Sequence, residues 1–207
     1  MVKLADAIKA FTNLRGQAAV IAGPGVISGV LYAEDTAPAT IYNMELGYPT
    51  SICLGLALAT PNQQVVAIEG DGSMVAGLGS LSTVARYSPN NLVVIVLNNG
   101  VYGTTGDGET ETAAGTCLNI SSIALGSGFD AEHVKDVDDI DGLRSALETA
   151  MTTPGPWLVS INIERVSGGA RRRYPIPDRD VVETALGFRR EMIERGFELK
   201  VNDEKIP

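Results

Sequence analysis

Short apolar runs alternate along this chain with stretches in which apolar residues return every three or four positions. Leu4, Ala7, Ile8 and Phe11 share one face of a helix expected over residues 3–14. AAVIAG (18–23) reads as a buried strand, ended by Gly23-Pro24-Gly25. Residues 50–59 are nearly all apolar or small, which for a helix predicts burial on every side. QVVAIEG (64–70) is a second strand, and VAGLGSLSTVARY (75–87) sets Val75, Leu78, Leu81 and Ala85 at helical spacing. LVVIVLNN (92–99) is continuously apolar, as a central parallel strand should be. A polar loop rich in Gly, Thr and Glu covers about 100–117, and loops this long inside a compact domain usually serve function or motion. Beyond it the pattern predicts a helix at 119–127, a strand at 133–137, a helix at 139–152 and a strand at 157–164. A Pro-rich turn, YPIPD, precedes an amphipathic helix at about 179–195.

Strand and helix alternate throughout, which predicts an α/β fold: a doubly wound, mainly parallel sheet with helices on both faces. No repeat or linker divides the 207 residues, so one domain over 1–207 is expected, with a C-terminal helical arm at about 170–207. In such sheets ligands bind beyond the carboxyl ends of the strands.

Composition narrows the partners. The net charge is −9, leaving no basic face for a nucleic-acid backbone. Arg171-Arg172-Arg173 is the only basic cluster; it reads as a solvated loop or, by charge alone, as a partner for an anionic substrate group. The 23 glycines suit a protein with tight turns and close backbone approaches. Cys53 and Cys117 form no CxxC, and Cys53 sits in the apolar run SICLGLALA as a small core residue. The N-terminus has a helical pattern rather than that of a signal peptide, and no apolar run reaches the roughly 18 residues of a membrane span. A soluble cytoplasmic protein, with no membrane partner, is the expectation.

The unusual residues gather where two strands end. Strand 64–69 runs into Gly70-Asp71-Gly72-Ser73, and strand 92–97 into Asn98-Asn99-Gly100. The 25 residues between Gly72 and Asn98 suffice for a helical crossover, so both ends share one sheet edge. A carboxylate, an amide oxygen and nearby carbonyls form a hard all-oxygen set. Magnesium prefers such ligands and commonly bridges to phosphates. The glycines flanking Asp71 let backbone N–H groups approach a phosphate, and a helix starting near residue 75 aims its positive end there. GDG alone is equally a tight turn before a helix; the pairing with NNG at this interval is specific.

That pairing resembles the motif that binds thiamine diphosphate (ThDP, also called thiamine pyrophosphate) in the decarboxylase and acetolactate synthase superfamily. MELGYPTSICLGLALATPNQQVVAIEGDGS (44–73) and NNGVYGTTG (98–106) resemble the regions around it. VIAGPGVISG (20–29) is similar to the start of stand-alone ThDP subunits, such as the beta subunit of sulfopyruvate decarboxylase, with phosphonopyruvate decarboxylase also similar. The similarity covers about residues 3–165.

The resemblance implies that Asp71 and Asn99 ligate Mg2+ through their side chains, and Val101 through its backbone carbonyl. Gly70, Gly72 and Ser73 would contact the diphosphate, helped by Gly23, Gly25 and Ser28. Leu46 would be the bulky wedge between the two cofactor rings, and the Met44 carbonyl would accept a hydrogen bond from the 4′-amino group. Tyr102 would lie along the cofactor edge. Taken alone, Leu46 reads equally as a core leucine, Tyr102 as a loop aromatic and Ser28 as a helix cap. Relatives have small residues before the wedge, where this chain has Glu45; its carboxylate reads as a structural ion pair or as an acid/base group.

The glutamate that activates ThDP sits, in this family, in a separate pyrimidine-binding domain. A chain of 207 residues is expected to hold only one such unit, and His133 lies away from the motif edge. The resemblance therefore implies the ThDP- and Mg2+-binding subunit of a heteromeric 2-oxo acid decarboxylase, a carboxy-lyase. A pyrimidine-binding subunit would complete it in an α2β2 or larger assembly. An acetolactate synthase-type carboligase stays open, as does an inactive ThDP-fold scaffold. The ThDP subunit of a 2-oxo acid oxidoreductase is less well matched, because two separated cysteines cannot hold a [4Fe–4S] centre.

Overall fold

The computed structural model describes residues 1–102, 110–165, 177 and 179–197. Its strands are β1 (Ala19–Ala22), β2 (Thr40–Ile41), β3 (Val65–Gly70), β4 (Leu92–Asn98), β5 (Val101–Tyr102), β6 (Thr110–Glu111), β7 (Val134–Val137) and β8 (Trp157–Asn162). Its helices are α1 (Leu4–Thr12), α2 (Val26–Glu34), α3 (Pro49–Ala59), α4 (Asp71–Ala76), α5 (Ser80–Tyr87), α6 (Ile120–Gly126), α7 (Ile140–Thr152) and α8 (Val181–Glu194). Six strands form one parallel sheet in the order β2-β1-β3-β4-β8-β7.

The continuously apolar strands have a simple cause. Side chains alternate across a strand, and here both faces are covered. Val20, Ala22, Val66, Ile68, Ile95 and Val159 meet Leu4, Phe11, Leu31 and Leu147 on one face. Ala19, Ile21, Val65, Ala67, Val94 and Leu158 meet Cys53, Leu54, Leu81, Val84 and Phe188 on the other. Cys53 is fully enclosed, and burial, with the nearby Glu69 carboxylate, pushes its thiol well up. The C-terminal helix α8 docks on the second face: Phe188 and Met192 are buried there. Arg195 Nη1 donates to the Gln17 carbonyl at 2.7 Å and to Gln63 Oε1 at 3.3 Å. A capping box of Asp180 and Glu183 starts that helix.

The sheet is doubly wound. The chain leaves β1 for β2 on one side, and leaves β3 for β4 on the other. The crevice between the carboxyl ends of β1 and β3 is therefore the topological switch point, where ligands bind in such folds.

Four features differ from the sequence pattern. First, α2 and β2 follow β1, where the glycines of GPGVISG mask a helix and two residues are too few to show as a strand. Second, the helix expected over 75–87 is two helices, and the first begins at Asp71, directly at the end of β3. Gly77 stands at the break: a Cβ there would come 2.4 Å from the Gly47 carbonyl oxygen, so only glycine lets the two backbones touch. Third, α3 is not buried on every side. Ser51, Gly55 and Leu58 are exposed, Leu58 by 46%. Fourth, the loop over 100–117 carries structure at its described ends. β5 and β6 pair antiparallel, and a 3-10 turn spans Ala113–Gly115. Among the described residues, no helix is long and apolar enough to cross a membrane.

Candidate active site

Register builds the site. Ala22 pairs with Ile68, and Gly70 pairs with Leu97, so β1, β3 and β4 end at nearly one level. The cleft beyond them is lined by Pro24, Gly25, Val26 and Ile27 after β1, by Gly70, Asp71, Gly72 and Ser73 after β3, and by Leu97, Asn99, Val101 and Tyr102 around the end of β4. Leu46, Leu4 and Ile163 complete the lining.

Asp71 is 1% exposed. One carboxylate oxygen accepts the Asn99 N–H at 3.2 Å, and the other accepts the Thr112 hydroxyl. Among the described residues no lysine or arginine pairs with it. Burial pushes the carboxyl above its ordinary range, and the Thr112 and Asn99 hydrogen bonds pull it partly back. A buried anion at a cleft floor without a compensating cation is an under-satisfied group.

The two asparagines separate. Asn98 turns to β8, donating to Asn162 Oδ1 at 3.0 Å, and its own oxygen accepts the Gly100 N–H. Asn99 faces the cleft, and its amide oxygen accepts the Val101 N–H at 3.0 Å. Gly100 has φ +73°, and a Cβ on Gly115 would stand 2.4 Å from its carbonyl oxygen, so the turn of Ala113–Gly115 is seated directly on the Asn99 loop. Tyr102 lies over Gly72, where a Cβ would come 2.5 Å from its ring.

The Asn43–Gly47 turn sits beside β1. The Met44 N–H donates to the Ala22 carbonyl at 3.0 Å, and Asn43 Oδ1 accepts the Gly25 N–H at 3.3 Å. Leu46 is 40% exposed at the cleft mouth, so it is not a core leucine. Glu45 is exposed, does not line the cleft, and makes no ion pair with another described residue. The ion pair expected of it is therefore not present within this chain's described part. Ser28 is not a helix cap, since Gly25 takes that place. Its buried hydroxyl donates to the Gly23 carbonyl at 2.7 Å and accepts the Asn43 N–H at 2.8 Å. Gly23 donates its N–H to the Ile68 carbonyl at 2.8 Å. Gly23 and Ser28 thus lie behind the cleft and support its wall, instead of lining it as the sequence suggested. The Ser73 hydroxyl is engaged too, with Glu69 and Gly47.

His133 packs at a tilt against Trp157, with ring centroids 4.4 Å apart, beside the edge strand β7 and away from the cleft. Arg171–Arg173 lie outside the described residues. Sequence reasoning missed Thr112 and Glu69. Glu69 had a signal, a single charge inside a buried strand, which demands partners. Thr112 had none, being one of several threonines in a polar loop.

The donors fit a hard cation bound together with a phosphate. Among the described residues there is no cluster of three His, Cys, Asp or Glu side chains. An ion here would take one carboxylate, one amide oxygen and a backbone carbonyl, leaving positions for phosphate oxygens and water, which is the habit of Mg2+.

The profile of the thiamine pyrophosphate enzyme C-terminal TPP binding domain matches residues 33–161. The chain belongs to the thiamine pyrophosphate enzymes. The matched span of this TPP-binding domain holds Met44–Leu46, Gly70–Ser73 and Asn99–Tyr102, and excludes Gly23, Gly25 and Ser28. The chain is 36% identical over 187 residues to phosphonopyruvate decarboxylase of Streptomyces viridochromogenes, covering 90% of this chain and 46% of the relative. The match to the Streptomyces hygroscopicus enzyme of the same name likewise covers 41% of it, so the chain spans under half the length of these relatives. To sulfopyruvate decarboxylase subunit beta of Methanothermobacter thermautotrophicus it is 30% identical, covering 93% of this chain and 96% of the relative. An X-ray structure from Mycobacterium smegmatis, provisionally described as a thiamin diphosphate-dependent enzyme, shares the fold. Its TM-score is 0.64 at 22% identity, over 79% of this chain and 32% of the other.

Proposed function

We propose that this chain is the ThDP- and Mg2+-binding half of a 2-oxo acid decarboxylase, completed by a pyrimidine-binding partner subunit in an α2β2 or larger assembly. The observation that carries the reading is Asp71: buried, without a cationic partner among the described residues, and lining the same switch-point cleft as Asn99 and Val101. Asp71, the Asn99 amide and the Val101 carbonyl would hold the ion. Gly70, Gly72 and Ser73, at the start of α4, would offer backbone N–H groups to the diphosphate, with Gly25 on the facing wall. Leu46 would give apolar bulk at the mouth, the Met44 carbonyl a hydrogen-bond acceptor, and Tyr102 a wall along one side.

When bound, the cofactor supplies the carbanion nucleophile and the electron sink that decarboxylation of a 2-oxo acid needs. This chain's part is to anchor, orient and keep water out. The activating glutamate would come from the partner. Glu69 is the one buried glutamate among the described residues, and its carboxylate is engaged by Thr50 and Ser73. The name of the Methanothermobacter relative, a subunit beta, supports a second chain, as do the exposed apolar side chains Leu46 and Tyr48 on the turn at the cleft. The names of the relatives support a substrate with an anionic substituent, phosphonate or sulfonate, on its third carbon.

The test is reconstitution with the candidate partner and an assay of CO2 release from phosphonopyruvate, sulfopyruvate and pyruvate. Release is expected only with both chains, ThDP and Mg2+ present, and fastest with an anionic substituent. Release by this chain alone, or none from any 2-oxo acid with the assembled pair, would overturn the reading.

A further inference from the structure

Glu69 is 1% exposed in the middle of the domain, beside the cleft but not among the residues lining it. Its carboxylate has no cationic partner among the described residues. One oxygen accepts the Thr50 N–H at 3.0 Å and the Thr50 hydroxyl at 2.5 Å. The other accepts the Ser73 hydroxyl at 2.5 Å. The Ser73 oxygen accepts in turn from the Gly47 N–H at 3.1 Å. A single side chain therefore joins four pieces of chain: β3, the first turn of α3, the first turn of α4, and the turn that carries Met44 and Leu46.

That turn is held at its other side by backbone contact with Gly77, and Gly47 sits at φ +82°, a conformation side chains rarely adopt. Two anchors thus meet at Gly47, one polar and one steric. A carboxylate accepts only, and all three of its donors are fixed by other elements, so its removal loosens the polar anchor alone. A buried charge is costly unless it is well hydrogen-bonded, and a hydrophobic residue in β3 would bury more favourably.

We propose that Glu69 is a positioning residue: through Ser73 it sets the height of the Met44–Gly47 turn, and with it Leu46, against the Gly70–Ser73 turn. This rests on the function proposed above. It separates the two ends of the site. The diphosphate end depends on the backbone of Gly70–Ser73 and on Asp71, whereas the ring end depends on the turn that Glu69 steadies.

The experiment compares two ligands, ThDP with Mg2+ and inorganic pyrophosphate with Mg2+, binding to the full chain assembled with its partner. In Glu69→Gln the shape is kept and the acceptor for the Ser73 hydroxyl is lost. Loss of one hydrogen bond to a charged group corresponds to about a tenfold change in an equilibrium constant. The expected result is ThDP binding weakened about tenfold, with pyrophosphate binding held within roughly twofold. Thr50→Val removes one of the three donors and should weaken ThDP by a smaller factor with the same selectivity, so it carries the test if the first variant does not fold. Parallel loss of both ligands, or no change in either, overturns the proposal. If the parent assembly itself binds neither ligand, the functional reading falls first, and the two failures are distinguishable.

Discussion

Asp71→Asn is expected to make the ligand-free protein more stable and to abolish its response to Mg2+ and ThDP. In the free protein the carboxylate is buried, accepts from the Thr112 hydroxyl and the Asn99 N–H, and has no cationic partner among the described residues. Asparagine is nearly isosteric and can keep contacts to Thr112 and the Asn99 N–H without the charge. The gain should be about 1–3 kcal/mol at neutral pH, the scale found for an under-compensated buried polar group. The pH dependence fixes the sign. Because the folded carboxyl titrates above its ordinary value, the native state keeps a proton that the unfolded chain has already lost. Ligand-free stability therefore falls as pH rises through the window from the ordinary carboxylate value up to the raised folded one, and then levels off. The Asparagine variant should lack that slope. With Mg2+ and ThDP the sign reverses, because the ion competes with the proton, and parent stabilisation grows as pH rises through the same window. Thermal unfolding across pH, with and without ligands, reads all of this at once. A variant that is destabilised when ligand-free, or that still gains stability from ThDP and Mg2+, contradicts the assignment of Asp71.

Gly77→Ala should produce the opposite combination, a less stable protein that also binds ThDP poorly. The added methyl would meet the Gly47 carbonyl oxygen at 2.4 Å and its Cα at 2.8 Å, both backbone atoms with no rotamer to give way. Overpacking of this kind costs about 1–3 kcal/mol. For a chain of this size that lowers Tm by roughly 3–10 °C. Relief can come only by moving the Gly47 turn, which displaces Leu46 and stretches the Gly47–Ser73 hydrogen bond. Gly79→Ala is the control: a Cβ there meets nothing within 4 Å, and this glycine precedes α5. Equal melting temperatures for the Gly77 variant and the parent would show that the contact does not constrain the turn.

The chain's outline was legible because the physics that writes it is local. Strands covered on both faces must be apolar along most of their length, and β3, β4 and β8 are apolar except at Glu69, Asn98, Ser160 and Asn162. The GDG and NNG turns were legible because a crossover of that length can only return both strand ends to one edge, and the Gly70–Leu97 register puts them there. What stayed hidden depends on contacts distant in sequence. The close approach of Gly77, between α4 and α5, to Gly47 joins residues far apart in the chain. Thr112 reaches Asp71 only after the chain has turned back through β5 and β6. The partners of Glu69, a charge inside an apolar strand, come from α3 and α4, so its hydrogen bonds could not be placed from the sequence. Gly23 and Ser28 do not line the cleft, because the Ser28 hydroxyl and the Gly23 carbonyl satisfy each other behind it.

The most direct test replaces Mg2+ by Mn2+ and locates it by anomalous diffraction in crystals of the assembled protein with ThDP. The account predicts one manganese peak in the cleft between β1 and β3, coordinated by an Asp71 oxygen, the Asn99 amide oxygen and the Val101 carbonyl, with the diphosphate on the same ion. A cofactor bound in that cleft with no metal beside Asp71, or manganese found only on carboxylates elsewhere, would contradict it.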